Sequence, residues 1–215
     1  MNQKKRNNHS RSAILNRLRQ TSDSYRSGVK VKTAPDGLVF PKVCDLLANF
    51  RDELEQLGGE VVLCDGVGDQ MGCFNQLKEK RGWSTFACID SGLKELLNFY
   101  GINGEQIDPV LDEVEVGVTR CEALVALTGS VMVSSMGGSG RRLNIFPSVH
   151  IVLAQKSQLV ESIAEGFDVV GKKYTQPPSQ ISLISGPSRT ADIEKTLVMG
   201  AHGPKELIVL VDTRN

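Results

Sequence analysis

The chain has 215 residues, 40% of them hydrophobic and 23% charged, a composition that suits a folded domain with a substantial core rather than a disordered segment. Lys and Arg number 25 against 25 Asp and Glu, so the overall basic excess of a nucleic-acid-binding domain is missing and no nucleic-acid partner is expected. No apolar run is long enough to span a bilayer and no secretory signal core is visible, so no membrane span is expected, and an odd count of cysteines without CxxC pairs fits a reducing cytoplasm.

The charge is uneven at the start. Lys4, Lys5, Arg6, Arg11, Arg17, Arg19, Arg26, Lys30 and Lys32 stand against Asp23 alone. Such a segment suits a targeting peptide, a phosphate-binding arm or a solvated tail. Ile14, Leu15 and Leu18 recur at helical spacing, which predicts a short amphipathic helix with a basic outer face. Residues 1–34 are read as this helix and a linker, and residues 35–215 as one α/β domain.

From Pro41 the pattern alternates. Val43, Leu46, Leu47, Phe50, Leu54 and Leu57 follow a 3.6-residue period, with Pro41 suited to a first turn and Gly58 to the stop. EVVLC reads as a strand, GDQMGCFNQLKEKRG as a short helix, STFACID as a strand and SGLKELLNFYG as a helix closed by Gly101. This alternation argues for an open, mostly parallel sheet with helices on both faces. ALVALTGSVMVSS then reads as two strands meeting at Thr128-Gly129-Ser130. VHIVLA is a buried strand, and KSQLVESIAEGFDVVGKKY is helical in pattern, with Leu159, Ile163, Phe167 and Val170 facing inward. ISLIS is a strand, ADIEKTLVMG a short helix ended by Gly200, and ELIVLVD the last strand.

Two stretches invite an anion. Gly186-Pro187-Ser188-Arg189-Thr190 falls at a strand-to-helix turn, where ligands of open α/β sheets bind. Thr190 suits an N-cap and Asp192 the first turn, and free N–H groups beside the Arg189 guanidinium would welcome a phosphate or carboxylate. The same residues also make a well-capped turn with a solvated arginine. In a parallel βαβ unit, His202 would lie at the opposite end of the sheet from that loop. The glycine stretch from Ser134 to Arg142 lets backbone approach a phosphate, yet it has neither the ending of a Walker A loop nor a GxGxxG spacing. His150 reads as a satisfied core histidine. The five cysteines, Cys44, Cys64, Cys73, Cys88 and Cys121, form no CxxC pair, and no metal set is signalled by spacing.

Two long motifs carry a family resemblance. ISGPSRTADIEKTLVMGAHGPKELIVLV and LTGSVMVSSMGGSGRRLNIFPSVHIVLA resemble the LUD domain family, which includes the lactate-utilization protein C group. The resemblance implies a fold of the NagB, ribose-5-phosphate isomerase and CoA transferase type. It also implies a role in oxidising lactate to pyruvate, as an accessory chain beside iron–sulfur partner proteins. The clusters are expected in those partners, and no cofactor is expected on this chain. One position departs: Leu127 stands where relatives carry a glutamate, the nucleophile in related CoA transferases, so covalent transferase chemistry is not expected. The candidate ligand-binding residues are Thr128, Gly129, Ser130, Gly137, Gly138, Gly140, Arg141, Gly186, Pro187, Ser188, Arg189, Thr190, Asp192, Glu194 and His202. The expected ligand is an anionic small molecule of phosphate, carboxylate or CoA type. The alternative is a free-standing enzyme on a phosphorylated or CoA-linked metabolite, and the oligomeric state stays open, a homo-oligomer included.

Overall fold

The computed structural model describes residues 12–17, 42–102, 105–106, 114–191, 197–200 and 202–214. The chain divides into Met1–Lys42 and Val43–Asn215. In the first unit residues 12–17 form a short helix on which Ile14 and Leu15 are exposed.

The second unit begins with helix α1, Leu46–Gln56, whose start is set by Asp45 accepting from the N–H groups of Leu47 and Ala48, both at 3.0 Å. Pro41, expected in the first turn, lies outside the described residues. Strand β1 (Glu60–Cys64), helix α2 (Val67–Arg81), strand β2 (Thr85–Ala87) and helix α3 (Ser91–Phe99) follow as the periodicity predicts. The two-residue strand β3 (Glu105–Gln106) and strand β4 (Val116–Arg120) come next, then β5 (Ala123–Val125), β6 (Ser130–Ser134), β7 (Val149–Gln155) and β8 (Leu159–Val160). Helix α4 (Ile163–Lys173) and strands β9 (Ile181–Ile184), β10 (Arg189–Ala191), β11 (Leu197–Met199) and β12 (Glu206–Asp212) complete it.

Six strands form one sheet in the order β1-β12-β7-β4-β2-β3, and every pairing in it is parallel. The last strand is thus filed between the first and the seventh. Ile208 and Leu210 of β12 join Met71, Phe74, Leu93 and Leu97 of α2 and α3 on one face. Leu207, Val209 and Val211 alternate to the other, against Phe50 and Leu54 of α1. Being covered twice explains why β7 and β12 read as unbroken apolar runs.

The second face differs from the sequence expectation. Beside α1 it is covered by a second sheet, β8-β5-β6-β9, in which β5–β6 and β6–β9 are antiparallel. Helix α4 packs on the far side of that sheet through Val170 against Ala123 and Met132. The helix expected from Lys156 therefore begins only after Ser162, which caps it, and Leu159 pairs in β8 with Leu124 instead. Phe167, expected to face inward, is exposed. Strand β4 was not legible because Gly117 interrupts its apolar residues. That glycine is required: the Leu143 carbonyl crosses so close that any side chain would collide with it. The helix expected over 191–200 is not borne out at either end, and residues 192–196 lie outside the described residues. The ends of that segment are strands β10 and β11, paired antiparallel from Arg189 opposite Met199 to Ala191 opposite Leu197, a use that suits the β-branched Thr190 and Val198.

His150 lies buried in β7, its Nε2 2.8 Å from Thr119 Oγ1, while Nδ1 has no partner among the described residues. It is the core histidine expected, but only half satisfied. Burial pushes its pKa down to about 4. The folded state therefore keeps the ring neutral, and the unfolded chain binds the proton first. Stability from this group is fully present above 6.5 and is lost as pH falls toward about 4. The thermal midpoint should drop across that window, and His150→Gln should flatten the drop. Truncating the core at Phe50→Ala should cost about 3–5 kcal/mol of unfolding free energy, read by denaturant titration at constant m.

Candidate functional site

All strands of the parallel sheet end on one side, and there a small cleft opens. It has a volume of about 130 Å³ and is lined by Val67 and Gln70 of α2, Leu93 and Leu96 of α3, Arg120 at the end of β4, Gln155 at the end of β7, and Gln158 beyond it. Its walls are fixed by side-chain amides. The Gln70 amide donates to the carbonyls of Ala154 (3.1 Å) and Leu210 (2.8 Å), tying α2 to two strands. Gln158 donates to the Cys121 carbonyl at 2.6 Å and accepts from the Gln155 N–H at 2.8 Å. Arg120 is half-exposed, with Nε 3.9 Å from Asp90 Oδ2, while Asp90 Oδ1 caps α3 by accepting from the Leu93 N–H at 2.7 Å. A cation is thus held at the mouth of an otherwise apolar and amide-lined cleft. At the start of α2, Gly66 brings no side chain to cap the first N–H groups.

Two residues beyond Arg120, the Glu122 carboxylate is fully buried. It accepts from Ser134 Oγ at 2.5 Å, Tyr174 OH at 2.8 Å and Lys173 Nζ at 2.8 Å. Burial works to raise its pKa, but the bonds from Lys173, Ser134 and Tyr174 prevail and hold the carboxyl below its ordinary value. Lys173 responds in the same sense: burial opposes its charge, and Glu122 raises its pKa overall.

The glycine stretch lies over these acids. A side chain at Gly137 would strike Glu122 Oε1, and at Gly138 it would stand 2.6 Å from Asp90 Oδ2. Gly138 and Gly140 also have φ of 79° and 61°, a region glycine enters without strain. Gly137, Gly138 and Gly140 therefore belong to the same neighbourhood as Arg120. Arg141 instead points away, donating to Ser179 Oγ at 2.6 Å.

The remaining candidates separate into two other places. Thr128 and Ser130 share a hydroxyl bond of 2.7 Å, Ser130 reaches Ser185 at 2.6 Å, and Gly129 (φ 56°) presses on the backbone of α1. Gly186 lies against the Leu57 carbonyl, and Pro187 approaches Gly58. Arg189, expected to face an anion, donates to that Leu57 carbonyl at 2.8 Å, where the C-terminal end of α1 favours a cation. Thr190 stands in strand β10 and starts no helix, so the helix N-terminus expected to attract an anion there is not formed. Asp192 and Glu194 lie outside the described residues. Ser188 and His202 were expected at opposite ends of the sheet, yet the β10–β11 hairpin returns the chain. The Ser188 N–H donates to the Pro204 carbonyl at 2.8 Å, and the Gly200 N–H to the Ser188 carbonyl at 3.0 Å. His202, Gly203, Lys205 and Phe146 line a second cleft, of about 330 Å³, at the amino ends of β7 and β12.

Sequence reasoning missed Asp90 and Arg120. Arg120 is the last residue of β4 and Asp90 follows the end of β2, so the strand-end rule would have found Arg120 had β4 been recognised. Leu127 lies in a 3₁₀ turn after β5, its N–H donating to the Glu161 carbonyl, and does not share a strand with Glu122. Among the described residues, metal-ligating side chains converge in one group, Cys64, Asp69 and Cys73, with ligand atoms within 4.8 Å of one another.

A parallel α/β sheet with a polar cleft at its carboxyl ends defines the class in which ligands sit at that end. Within that class the chain belongs to the LUD domain family, whose model matches residues 47–211. A lactate utilization protein C from Bacillus licheniformis is 25% identical over 239 residues, 96% of this chain and 98% of that protein. One from Bacillus subtilis is 34% identical over 115 residues, 52% of this chain and 48% of that protein. A solved structure of a DUF162 family protein from Deinococcus radiodurans shares the fold, with a TM-score of 0.61 at 19% identity, over 80% of this chain and 99% of that one. No helix among the described residues is long and apolar enough to cross a membrane.

A carboxyl held below its ordinary value stabilises the fold above its unfolded pKa, and that contribution is lost as pH falls through the folded value. Glu122→Gln should therefore melt below the wild type at neutral pH. The gap should close as pH drops through and below the usual carboxylate range, as read from thermal midpoints across a pH series.

Proposed function

We propose that the chain serves lactate utilization as an accessory, ligand-binding subunit that holds a small anionic metabolite beside Arg120 and works with iron–sulfur partner proteins. The observation that carries this reading is the pairing of one cation with a small cleft. At about 130 Å³ the cleft has room for a three-carbon carboxylate. The uncapped start of α2 adds N–H groups that favour an anion on the same side. Kinship with proteins named lactate utilization protein C supports lactate as the metabolic context. Two-electron oxidation of a hydroxy acid needs an acceptor, which in this reading the partners supply, while this chain binds and positions the acid in the cytoplasm.

Calorimetry with L-lactate and pyruvate tests the binding. Arg120→Ala should weaken it by about 1.5–3 kcal/mol, the range for a hydrogen bond to a charged group. Deleting the gene should impair growth on lactate but not on glucose, and Arg120→Ala should fail to restore it. Absence of binding for both acids together with normal growth on lactate would remove the reading.

A second reading, a free-standing enzyme on a phosphorylated or CoA-linked metabolite, draws on the larger cleft where His202 and Lys205 flank the exposed Phe146 ring. Turnover of such a metabolite by the isolated chain, lost in Lys205→Ala, would decide for it.

A further inference from the structure

The junction of β1 and α2 brings together side chains that the cleft does not use. Cys64 ends β1 and is buried, while Asp69 and Cys73 stand four residues apart on α2 and so share one face of that helix. The two sulfurs and a carboxylate oxygen of Asp69 all lie within 4.8 Å of one another. Bonds of about 2.3 Å at tetrahedral angles place two sulfurs about 3.8 Å apart, so closing on an ion asks for a movement of about 1 Å or less.

Asp212 is the independent observation. It pairs in register with Cys64 across β1 and β12, and alternation along β12 puts it on the face of Ile208 and Leu210, which is the face of Cys64. It is buried, Oδ1 accepts from the Arg214 N–H at 2.9 Å, and Oδ2 has no partner among the described residues. A buried carboxylate oxygen without a partner is costly, and a cation is the natural relief. The cation nearby is already engaged: Arg214 makes two bonds to Asp65, at 2.5 and 2.6 Å. Asp69 spends one oxygen on the Asp65 N–H at 2.8 Å and keeps the other.

We propose that Cys64, Asp69 and Cys73 form a site for one zinc-class divalent ion, with the buried Asp212 carboxylate on the same face of the sheet beside it. Two thiols and a carboxylate suit a borderline-soft ion, and holding it would staple β1 to α2 beside the cleft. On coordination each thiol releases its proton to solvent, and the sulfur pair is neither oxidised nor reduced. Arg214 adjoins the resulting net negative charge and offsets it.

The test uses the full chain, reduced, stripped with a chelator and titrated with Co²⁺ alone. A thiolate-to-cobalt charge-transfer band in the near ultraviolet should saturate at one ion per chain and vanish on adding Zn²⁺, which should raise the thermal midpoint. Cys73→Ser should remove the band, and Cys44→Ser should leave it intact. Asp212→Asn, nearly isosteric, should weaken Zn²⁺ binding on the order of 10–100-fold. It should not lower the midpoint of the metal-free chain, because it removes an unpartnered buried charge. A folded wild-type chain that gives no band overturns the proposal, as does a band that survives in the Cys64→Ser, Cys73→Ser double variant. Recovery of a Cys64–Cys73 disulfide from a chain that binds no Co²⁺ even after reduction would overturn it in favour of redox chemistry.

Discussion

Everything in the described domain depends on where β12 goes. By entering between β1 and β7 it builds a parallel sheet in which β12 and β7 are covered on both faces. Parallel strands begin and end together, so their turns gather at two opposite ends. At the carboxyl ends these turns carry Arg120, Gln155, Gln158 and the first residues of α2 and α3. At the amino ends they carry His202, Lys205 and Phe146. The placement of both clefts is thus a consequence of strand order rather than of any local motif.

A buried acid organises the ground next to the first cleft. Glu122 ties two separate elements together, through Ser134 of β6 and through Lys173 at the end of α4 with Tyr174 just beyond it. The glycine stretch can lie on this acid and on Asp90 only because its residues lack side chains. The glycines that suggested a phosphate loop are thus explained first by contact with protein carboxylates. The cation on that side of the sheet is Arg120, and the start of α2 there carries no side-chain cap.

Much of the sheet was legible because its strands advertise themselves. VHIVLA and ELIVLVD are continuous apolar runs, as strands buried on both faces must be. The helices α1, α2 and α3 followed from period and from glycine stops. What failed had physical causes. Strand β4 carries Gly117 under the Leu143 carbonyl, and that close approach cannot be seen in one dimension. The segment after Arg189 has a helical apolar period and a good capping residue, but long-range bonds from Ser188 to Pro204 and from Gly200 to Ser188 hold a hairpin there. Arg189 itself was read as a ligand group because its partner, the Leu57 carbonyl, lies 132 positions away in sequence. Cys64 and Cys73 showed no metal spacing since one is on a strand and the other on a helix.

The central claim is that the carboxyl-end cleft under Arg120 receives a small carboxylate. Amide spectra of the isotope-labelled chain, titrated with L-lactate and with pyruvate, test it most directly. Perturbations should concentrate at Val67 to Met71, Arg120, Gln155 and Gln158, with the neighbouring glycines Gly137 and Gly138 following. Perturbations confined to His202, Gly203 and Lys205, or none at saturating acid, would contradict it.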